Sequence, residues 1–179
     1  MELQVFETES ERLRFRRLRA DDFALVAPIL QDEQTMYAWE HAFSYDEVID
    51  WIADMLRRYR EDGCGCWAAL DKVSGELAAL AGVILEAPEE GEAPCPALLC
   101  IVARERWAQG YGAECAKAAL AYAFDRLEAE RVIALIRPEN EPSLRVAAAC
   151  GMRPVGQMVK HYQGKELPHL ICEAVRPQA

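Results

Sequence analysis

Apolar and polar residues alternate along the chain at two spacings, and each spacing predicts a different kind of element. Residues 12–19 (RLRFRRLR) place Leu13, Phe15 and Leu18 between arginines, which is typical of a strand with one buried face. Residues 44–63 repeat apolar side chains every three or four positions, which predicts a helix buried along one stripe. That stripe consists of Ile49, Ile52, Leu56 and Tyr59, with Met55 beside it.

Residues that cap helices mark where three of the predicted helices begin. Ser44 and Glu47 have the spacing of a capping box, in which each side chain binds the other residue's backbone N–H. Asn140 and Gly151 bracket a short helix, with Pro142 in its first turn. Asp21 and Asp22 offer an N-cap to a helix over residues 22–31.

The remaining apolar runs predict strands. Residues 66–71 and 76–86 are separated by KVSG and predict a hairpin, and residues 97–103 (ALLCIVA) form a continuous run typical of a strand covered on both faces. The other predicted elements are a helix ending near Glu128 and strands over about 131–137, 153–162 and 168–175. The order β-α-α-β-β-β-α-β-α-β-β predicts an α/β (α+β) fold, a mixed, mostly antiparallel central sheet flanked by helices.

Composition narrows the classes of function. The 179 residues are long enough for one sizeable core and short for two, so we expect a single domain over residues 1–179. A formal net charge of −10 disfavours nucleic acid as a partner. No run approaches the roughly 18 apolar residues of a membrane span, and the start lacks the apolar stretch of a signal peptide, so we expect a cytoplasmic protein without a membrane partner.

The seven cysteines are expected to be reduced thiols, because no export signal accompanies them. Cys64 and Cys66 flank one glycine, but the chain offers no second cysteine pair and no histidine at ligand spacing. We therefore expect no metal.

The sequence WAQGYGAECA (107–116) joins the predicted strand over 97–103 to a helix. Gly110 and Gly112 allow backbone N–H groups at the positive end of that helix to approach phosphate oxygens. A dinucleotide-binding loop would require a third glycine where Cys115 stands, and a Walker loop would require Gly-Lys-Ser/Thr. Neither common nucleotide-binding pattern fits.

The stretch from WAQGYGAECA to PENEPSLRVAAACGM resembles the core of the GNAT acyltransferase superfamily, and especially its branch of ribosomal-protein N-terminal acetyltransferases (RimJ/RimL-like). The resemblance covers nearly the full length and is weakest between residues 87 and 97. Ala108 replaces a usual glycine, Met152 a usual aromatic residue and Ala147 a frequent tyrosine. The matching residues are Trp107, Gly110, Tyr111, Gly112 and Glu114 in the first motif, and Pro138, Glu139, Asn140, Ser143 and Gly151 in the second.

The resemblance implies a GNAT fold, splayed between its central strands, with acetyl-CoA as donor co-substrate. The pantetheine arm is expected along the main chain of Ile101, Val102 and Ala103, and the N–H of Val102 or Ala103 is expected to stabilise the oxyanion. Asn140 and Ser143 are expected near the pantetheine and the thioester sulfur, and Tyr111 is expected to pack with its hydroxyl at the rim. The pyrophosphate is expected on the loop that contains Trp107, Ala108, Gln109, Gly110, Tyr111, Gly112 and Ala113.

Catalytic groups are less well marked. Ser143 is the candidate for protonating the departing thiolate, while Ala97 and Leu98 stand where many members carry a glutamate base. Candidate proton acceptors are Glu86 and His41, with Glu40 and His161-Tyr162 as further possibilities. Trp39, Phe43 and Trp51 are candidates to line an acceptor pocket.

The absence of the strand glutamate bears on the acceptor. At pH 7 about 0.04% of lysine ε-amines are neutral against about 10 to 15% of α-amines, so a site without an evident base favours a protein N-terminus. The leading hypothesis is an acetyl-CoA-dependent N-acetyltransferase, as monomer or homodimer. The alternatives are a polyamine or aminoglycoside acetyltransferase, favoured by the negative charge, and a non-catalytic acyl-CoA-binding module.

Overall fold

The computed structural model describes residues 6–178, and its strands form a mixed sheet in the order β1-β2-β3-β4-β5-β6-β8-β7. All neighbouring strands pair antiparallel except β5 and β6, which run parallel. The strands are β1 (Thr8–Glu9), β2 (Leu13–Arg17), β3 (Cys66–Asp71), β4 (Leu77–Glu86), β5 (Cys95–Val102), β6 (Arg131–Ile136), β7 (Arg153–Tyr162) and β8 (Lys165–Val175). The helices are α1 (Phe23–Leu30), α2 (Tyr45–Glu61), α3 (Tyr111–Asp125) and α4 (Glu141–Ala149), with 3-10 turns at Tyr37–Trp39 and Arg104–Arg106.

The predicted order of helices and strands is confirmed, with three short additions that the patterns did not reveal: β1 and the 3-10 turns at Tyr37–Trp39 and Arg104–Arg106. The two-residue strand β1 and the turn at Tyr37–Trp39 are too short to leave a hydrophobic period in the sequence. Strand β5 also begins at Cys95 instead of Ala97, because Pro96 pairs with Leu85 within the ladder. The difference in β5 lies at the end of an element, where patterns are least informative.

The predicted helix caps are confirmed for α2 and α4 and wrong for α1. Ser44 and Glu47 form the capping box, and the Asn140 side chain accepts the Ser143 N–H. Asp22 stands at the N-cap position of α1 without capping it. Its carboxylate instead accepts two bonds from the Arg16 guanidinium, at 2.7 and 2.9 Å, because a buried arginine requires a charged partner.

The buried face of α2 is shifted by one position from the prediction. Val48, Ile52, Met55 and Tyr59 are buried, whereas Ile49 is 40% exposed. The hydroxyl of Tyr59 accepts the Leu18 N–H at 3.0 Å and donates to the Cys66 carbonyl. These bonds fix Tyr59 on the buried face of α2, on which Val48 lies and Ile49 does not.

The central strands separate soon after they meet. β5 and β6 pair only at Ala97 and Ile133, near the beginning of each strand. Beyond this point residues 98–102 and 134–136 continue without pairing to one another. Helix α3 follows β5 and packs on β4 and β5, and α4 follows β6 and contacts α3. Both helices therefore begin beside the open end of the gap.

Candidate functional site

The hydrogen bonds between β4 and β5 determine which main-chain groups of β5 face the gap between β5 and β6. The Ala103 N–H donates to the Ala78 carbonyl at 2.9 Å, and the β4–β5 register pairs Ile101 with Leu80. Because main-chain groups alternate between the two sides of a strand, those of Ile101 and Ala103 face β4. Those of Cys100 and Val102 face the gap. Of the predicted run, Val102 has main-chain groups that face the gap, whereas those of Ile101 and Ala103 face β4. The contact of this strand with a pantetheine arm stays a prediction.

The loop after β5 is tied back to the strand. The Trp107 indole Nε1 donates to the Val102 carbonyl at 2.9 Å, which occupies that carbonyl. The main-chain groups that remain for a ligand are the N–H groups of Cys100 and Val102 and the Cys100 carbonyl. Ala108 has φ +56° and Gly110 has φ +82°. The left-handed conformation costs Gly110 little, but it strains Ala108 through its Cβ. Trp107, Ala108, Gln109 and Gly110 thus form a tight turn immediately before α3.

The N-terminus of α3 presents a set of free backbone donors. The Glu114 N–H makes the helix's first bond, to the Gly110 carbonyl, so the N–H groups of Tyr111, Gly112 and Ala113 have no partner within the helix. A Cβ on Gly112 would lie 3.2 Å from Val146 Cγ2 and 3.7 Å from Val102 Cγ2. Only a glycine leaves this space open. These residues fit a phosphate group and the chain attached to it.

Arg12 and Glu114 clamp one side of the loop. The Arg12 guanidinium donates to Glu114 Oε2 at 2.7 Å and to the Gln109 carbonyl at 3.1 Å. Glu114 also accepts from the Arg12 N–H at 2.7 Å and the Ser10 hydroxyl at 2.6 Å. Burial raises the pKa of Glu114, but these hydrogen bonds outweigh it and hold the pKa below its usual range. The carboxylate is therefore ionised and holds Arg12 against the loop.

Tyr111 packs in the interior, as predicted, and its hydroxyl, expected at the rim, is bonded to a carboxylate. It is buried, and the Arg12 guanidinium lies 3.9 Å from its ring centroid. Its hydroxyl donates to Asp71 Oδ2 at 3.2 Å. The ring thus fixes the first turn of α3 to the β3–β4 hairpin.

The N-terminus of α4 carries the second motif. Asn140 Oδ1 accepts the Ser143 N–H at 3.3 Å and the Tyr37 hydroxyl at 2.5 Å. The Asn140 side chain has a second polar group, the amide Nδ2, and neither this group nor the Ser143 hydroxyl has a protein partner within residues 6–178. Their roles toward a ligand stay predictions.

The charge of Glu40 is offset by two cations, one after β6 and one at the start of β8. Its carboxylate pairs with the Arg137 guanidinium and, at 3.2 Å, with Lys165 Nζ. The hydrogen bonds from Arg137 and Lys165 lower the pKa of Glu40, which makes it a poorer proton acceptor. Glu40 instead fastens the Tyr37–Trp39 turn to the β6–α4 loop and to β8.

His41 is engaged through both ring nitrogens. Nε2 lies 2.8 Å from Glu47 Oε1, and Nδ1 lies 3.2 Å from the Trp39 carbonyl. Its ring stacks on Tyr162, with centroids 6.1 Å apart. Because both nitrogens face acceptors, this arrangement argues against His41 as the group that takes a proton from an amine.

The other candidate acceptors are more open. Glu86 Oε1 lies 3.7 Å from Lys160 Nζ, so a lysine partly offsets its charge, and its assignment as a base stays a prediction. His161 is exposed on β7. His169 is buried, its Nδ1 lies 2.8 Å from the Leu167 carbonyl, and burial lowers its pKa.

The aromatic candidates Trp39, Phe43 and Trp51 are half-buried and pack against the core. Cys64 and Cys66 are buried, and burial raises the pKa of both thiols. Within residues 6–178 no group of three or more His, Cys, Asp and Glu side chains is placed to hold a metal ion. In the same part of the chain no helix is long and apolar enough to span a membrane.

Comparison with known proteins decides the family. The model of the acetyltransferase (GNAT) domain matches residues 12–153, most of the chain. The chain belongs to the GNAT acetyltransferase family. This membership supports acyltransferase activity, and the splayed sheet is the fold that the resemblance implied.

Individual relatives agree with that membership. The uncharacterized protein YkkB of Bacillus subtilis (strain 168) is 29% identical over 145 residues, 80% of this chain and 83% of YkkB. RimL, a ribosomal L7/L12 α-N-protein acetyltransferase solved with coenzyme A, has a TM-score of 0.77 and 14% identity over 96% of this chain and 98% of its own. Spermidine N-acetyltransferase from Vibrio cholerae, solved with CoA and spermine, has a TM-score of 0.71 and 18% identity over 92% and 96%. At these identities the two structures show the fold alone.

Three residues of the site escaped the sequence reasoning. Cys100 required the ladder phase of β5, which a continuous apolar run does not reveal. Arg12 and Tyr37 reach the two helix N-termini from positions 97 and 103 residues away in sequence from their partners Gln109 and Asn140. The only sequence signal for Arg12 is its alternation with apolar neighbours, which indicates that its side chain lies on the polar face of a strand.

Proposed function

We propose that this GNAT chain, a single domain over residues 1–179, transfers the acetyl group of acetyl-CoA to the α-amine of a protein N-terminus, in the manner of the RimJ/RimL-like branch. The observation that carries the proposal is the row of free main-chain groups on β5 that leads to the N-terminus of α3. A pantetheine arm has amides that pair with such a row as a strand does, and a pyrophosphate suits the helix end.

The donor side of the site, which consists of β5, the loop at 104–110 and the start of α3, positions acetyl-CoA and stabilises the charge of the intermediate. The Cys100 carbonyl and the Val102 N–H are spaced to bind one amide of the arm, because a parallel neighbour bonds to groups two residues apart. The Cys100 N–H lies deeper in the gap and is the donor that we assign to the oxyanion of the tetrahedral intermediate. The Ala103 N–H is excluded from this role because it bonds to Ala78.

The acceptor side argues for an amine of low pKa. Glu40 is paired with Arg137 and Lys165, Glu86 lies near Lys160, and His41 is bonded on both nitrogens. An ammonium group that arrives here finds no free strong base among these groups. An α-amine is neutral in about one molecule in ten at pH 7, whereas a lysine ε-amine is neutral in about one in two thousand.

The same ion pairs disfavour a polycation. A polyamine is bound best by carboxylates that lack cationic partners, and the acidic groups that flank this gap have partners. A net charge of −10 still raises the encounter rate of polycations, so spermidine and an aminoglycoside belong in the test.

The test measures release of free thiol from acetyl-CoA with matched peptides. One peptide has a free α-amine and a blocked lysine, and the other a blocked α-amine and a free lysine. We expect faster release with the first peptide, and slower release with spermidine or an aminoglycoside. Faster release with any of these three contradicts the assigned acceptor, and CoA binding without thiol release from any amine leaves the chain a binding module.

A further inference from the structure

The Tyr37 hydroxyl occupies the N-terminus of α4 although its residue belongs to a distant turn. It donates to Asn140 Oδ1 at 2.5 Å, and Asn140 is the N-cap of α4. The frequent tyrosine of the superfamily would stand at Ala147, which is buried and carries no acidic proton. The phenol therefore comes from the Tyr37–Trp39 turn, whereas the sequence motif would place it on α4.

Several contacts hold this turn in place. Glu40, directly after the turn, pairs with Arg137 and Lys165, and the stacking of His41 on Tyr162 joins the same segment to β7. A fixed acid that is pre-organised at the reacting atoms loses little free energy to reorganisation during the reaction. Tyr37 is nevertheless 44% exposed, so a co-substrate can reach its hydroxyl.

We infer that Tyr37 is the general acid that protonates the departing CoA thiolate, an inference that rests on the proposed acetyl transfer. When the tetrahedral intermediate collapses, the C–S bond breaks and its electron pair leaves on sulfur. The Tyr37 O–H bond breaks and its proton forms the S–H bond. The proton lost by the attacking nitrogen returns through solvent to the Tyr37 phenolate, so one amine proton ends on CoA.

The charged groups around Tyr37 suit this role. Burial raises the pKa of its hydroxyl, the Glu139 carboxylate raises it further and the Arg137 guanidinium opposes them, so the phenol is protonated at neutral pH. Arg137 also stands beside the phenolate that forms after proton transfer. Ser143 is the competing donor, but an aliphatic hydroxyl is a weaker acid than a phenol, and the Ser143 backbone N–H already binds Asn140.

The test compares single hydroxyl deletions in the full chain, with saturating acetyl-CoA and the amine that the wild type acetylates best. We expect Tyr37→Phe to lower kcat about 100-fold, a size typical of general acid catalysis, with the Kd for CoA unchanged within about twofold. The matched control is Tyr45→Phe, which removes a hydroxyl from an exposed tyrosine that packs on Phe23 and is expected to leave kcat unchanged. Ser143→Ala is expected to change kcat by less than about tenfold.

A second measurement separates proton donation from a structural hydrogen bond. A fluorinated tyrosine at position 37, with a more acidic phenol, is expected to move the basic limb of the kcat–pH profile to lower pH. An unchanged kcat in Tyr37→Phe, or a larger loss in Ser143→Ala, overturns the inference while acetyl transfer stands. A wild type that releases no thiol with any amine overturns the proposed function and this inference together.

Discussion

The two sides of the gap between β5 and β6 are built from different chemical groups. The donor side, β5 with the loop at 104–110 and the start of α3, leaves main-chain N–H groups free and ties its side chains down. On the acceptor side, charged side chains pair with one another: Glu40 with Arg137 and Lys165, and Glu86 with Lys160. A site made of main-chain groups depends little on side-chain identity, whereas a site made of paired side chains changes with each substitution. The main-chain groups of the donor side therefore indicate the family, whereas the identity of the acceptor depends on the individual side chains of the acceptor side.

The largest effect is expected where the donor side has no spare volume. Gly112→Val adds atoms next to Val146 Cγ2, which would be 3.2 Å from the new Cβ, and to Val102. Such overpacking costs about 2 kcal/mol, so we expect the Kd for CoA to rise about 30-fold in a calorimetric titration. Gly156→Val is the matched control, because a Cβ there makes an ordinary 3.6 Å contact with Ile171. Equal losses in both variants would show that the space around Gly112 has no special part in CoA binding.

The clamp on the loop is expected to matter next. Arg12→Met leaves the Glu114 carboxylate, whose side chain is 14% exposed, without its cation and frees the Gln109 carbonyl. We expect the Kd for CoA to rise about tenfold and the free energy of unfolding to fall by about 1 to 3 kcal/mol, measured by urea denaturation. Arg14→Met breaks an exposed pair between β2 and Glu9 of the neighbouring strand β1, and it should cost less than about 1 kcal/mol. Tight CoA binding by Arg12→Met would mean that the loop keeps its shape without the clamp.

On the acceptor side we expect a smaller change in ligand affinity, and an increase instead of a decrease. Lys160→Met with Lys165→Met removes cations from Glu86 and Glu40, which leaves more negative charge facing a polyamine. Exposed pairs contribute about 0.2 to 1 kcal/mol, so spermidine should bind up to about fivefold more tightly, with the Kd for CoA unchanged. Unaltered spermidine binding, measured by calorimetry, would refute the view that these ion pairs exclude polycations.

The smallest effect concerns strain in the donor loop. Ala108 holds φ +56°, so Ala108→Gly removes a steric cost that is partly offset by the greater freedom of glycine in the unfolded chain. The net gain in the free energy of unfolding should be about 0.5 to 1 kcal/mol, raising Tm by roughly 1 to 4 °C. A lower Tm would mean that the Ala108 methyl group makes contacts worth more than the strain it brings.

The same contrast explains how far the sequence alone reaches. The elements, the cap of α4 and the glycine turn follow from local patterns that the structure confirms, because each depends on neighbours within a few residues. Which main-chain groups of β5 face the gap depends on its register with β4, so the sequence named Val102 but could not distinguish it from Ile101 and Ala103 or point to Cys100. Likewise, Asp22 lost its expected capping role to a buried arginine.

Contacts between residues that are far apart in sequence account for what the local patterns did not predict. The Glu40 pairs with Arg137 and Lys165 join residues about a hundred positions apart, so the sequence offered Glu40 as a proton acceptor where the fold makes it half of an ion pair. Tyr37 reaches Asn140 from the other end of the chain for the same reason. Neither contact leaves a period or a motif in the sequence.

A titration of the isotope-labelled protein with CoA, followed by NMR of the backbone amides, tests the donor side most directly. We predict that the largest shifts fall on the N–H groups of Cys100, Val102 and residues 108–113, and that those of Ile101 and Ala103, whose main-chain groups face β4, move less. Shifts concentrated on the β7–β8 hairpin, or equal shifts at all four positions of 100–103, would contradict the account.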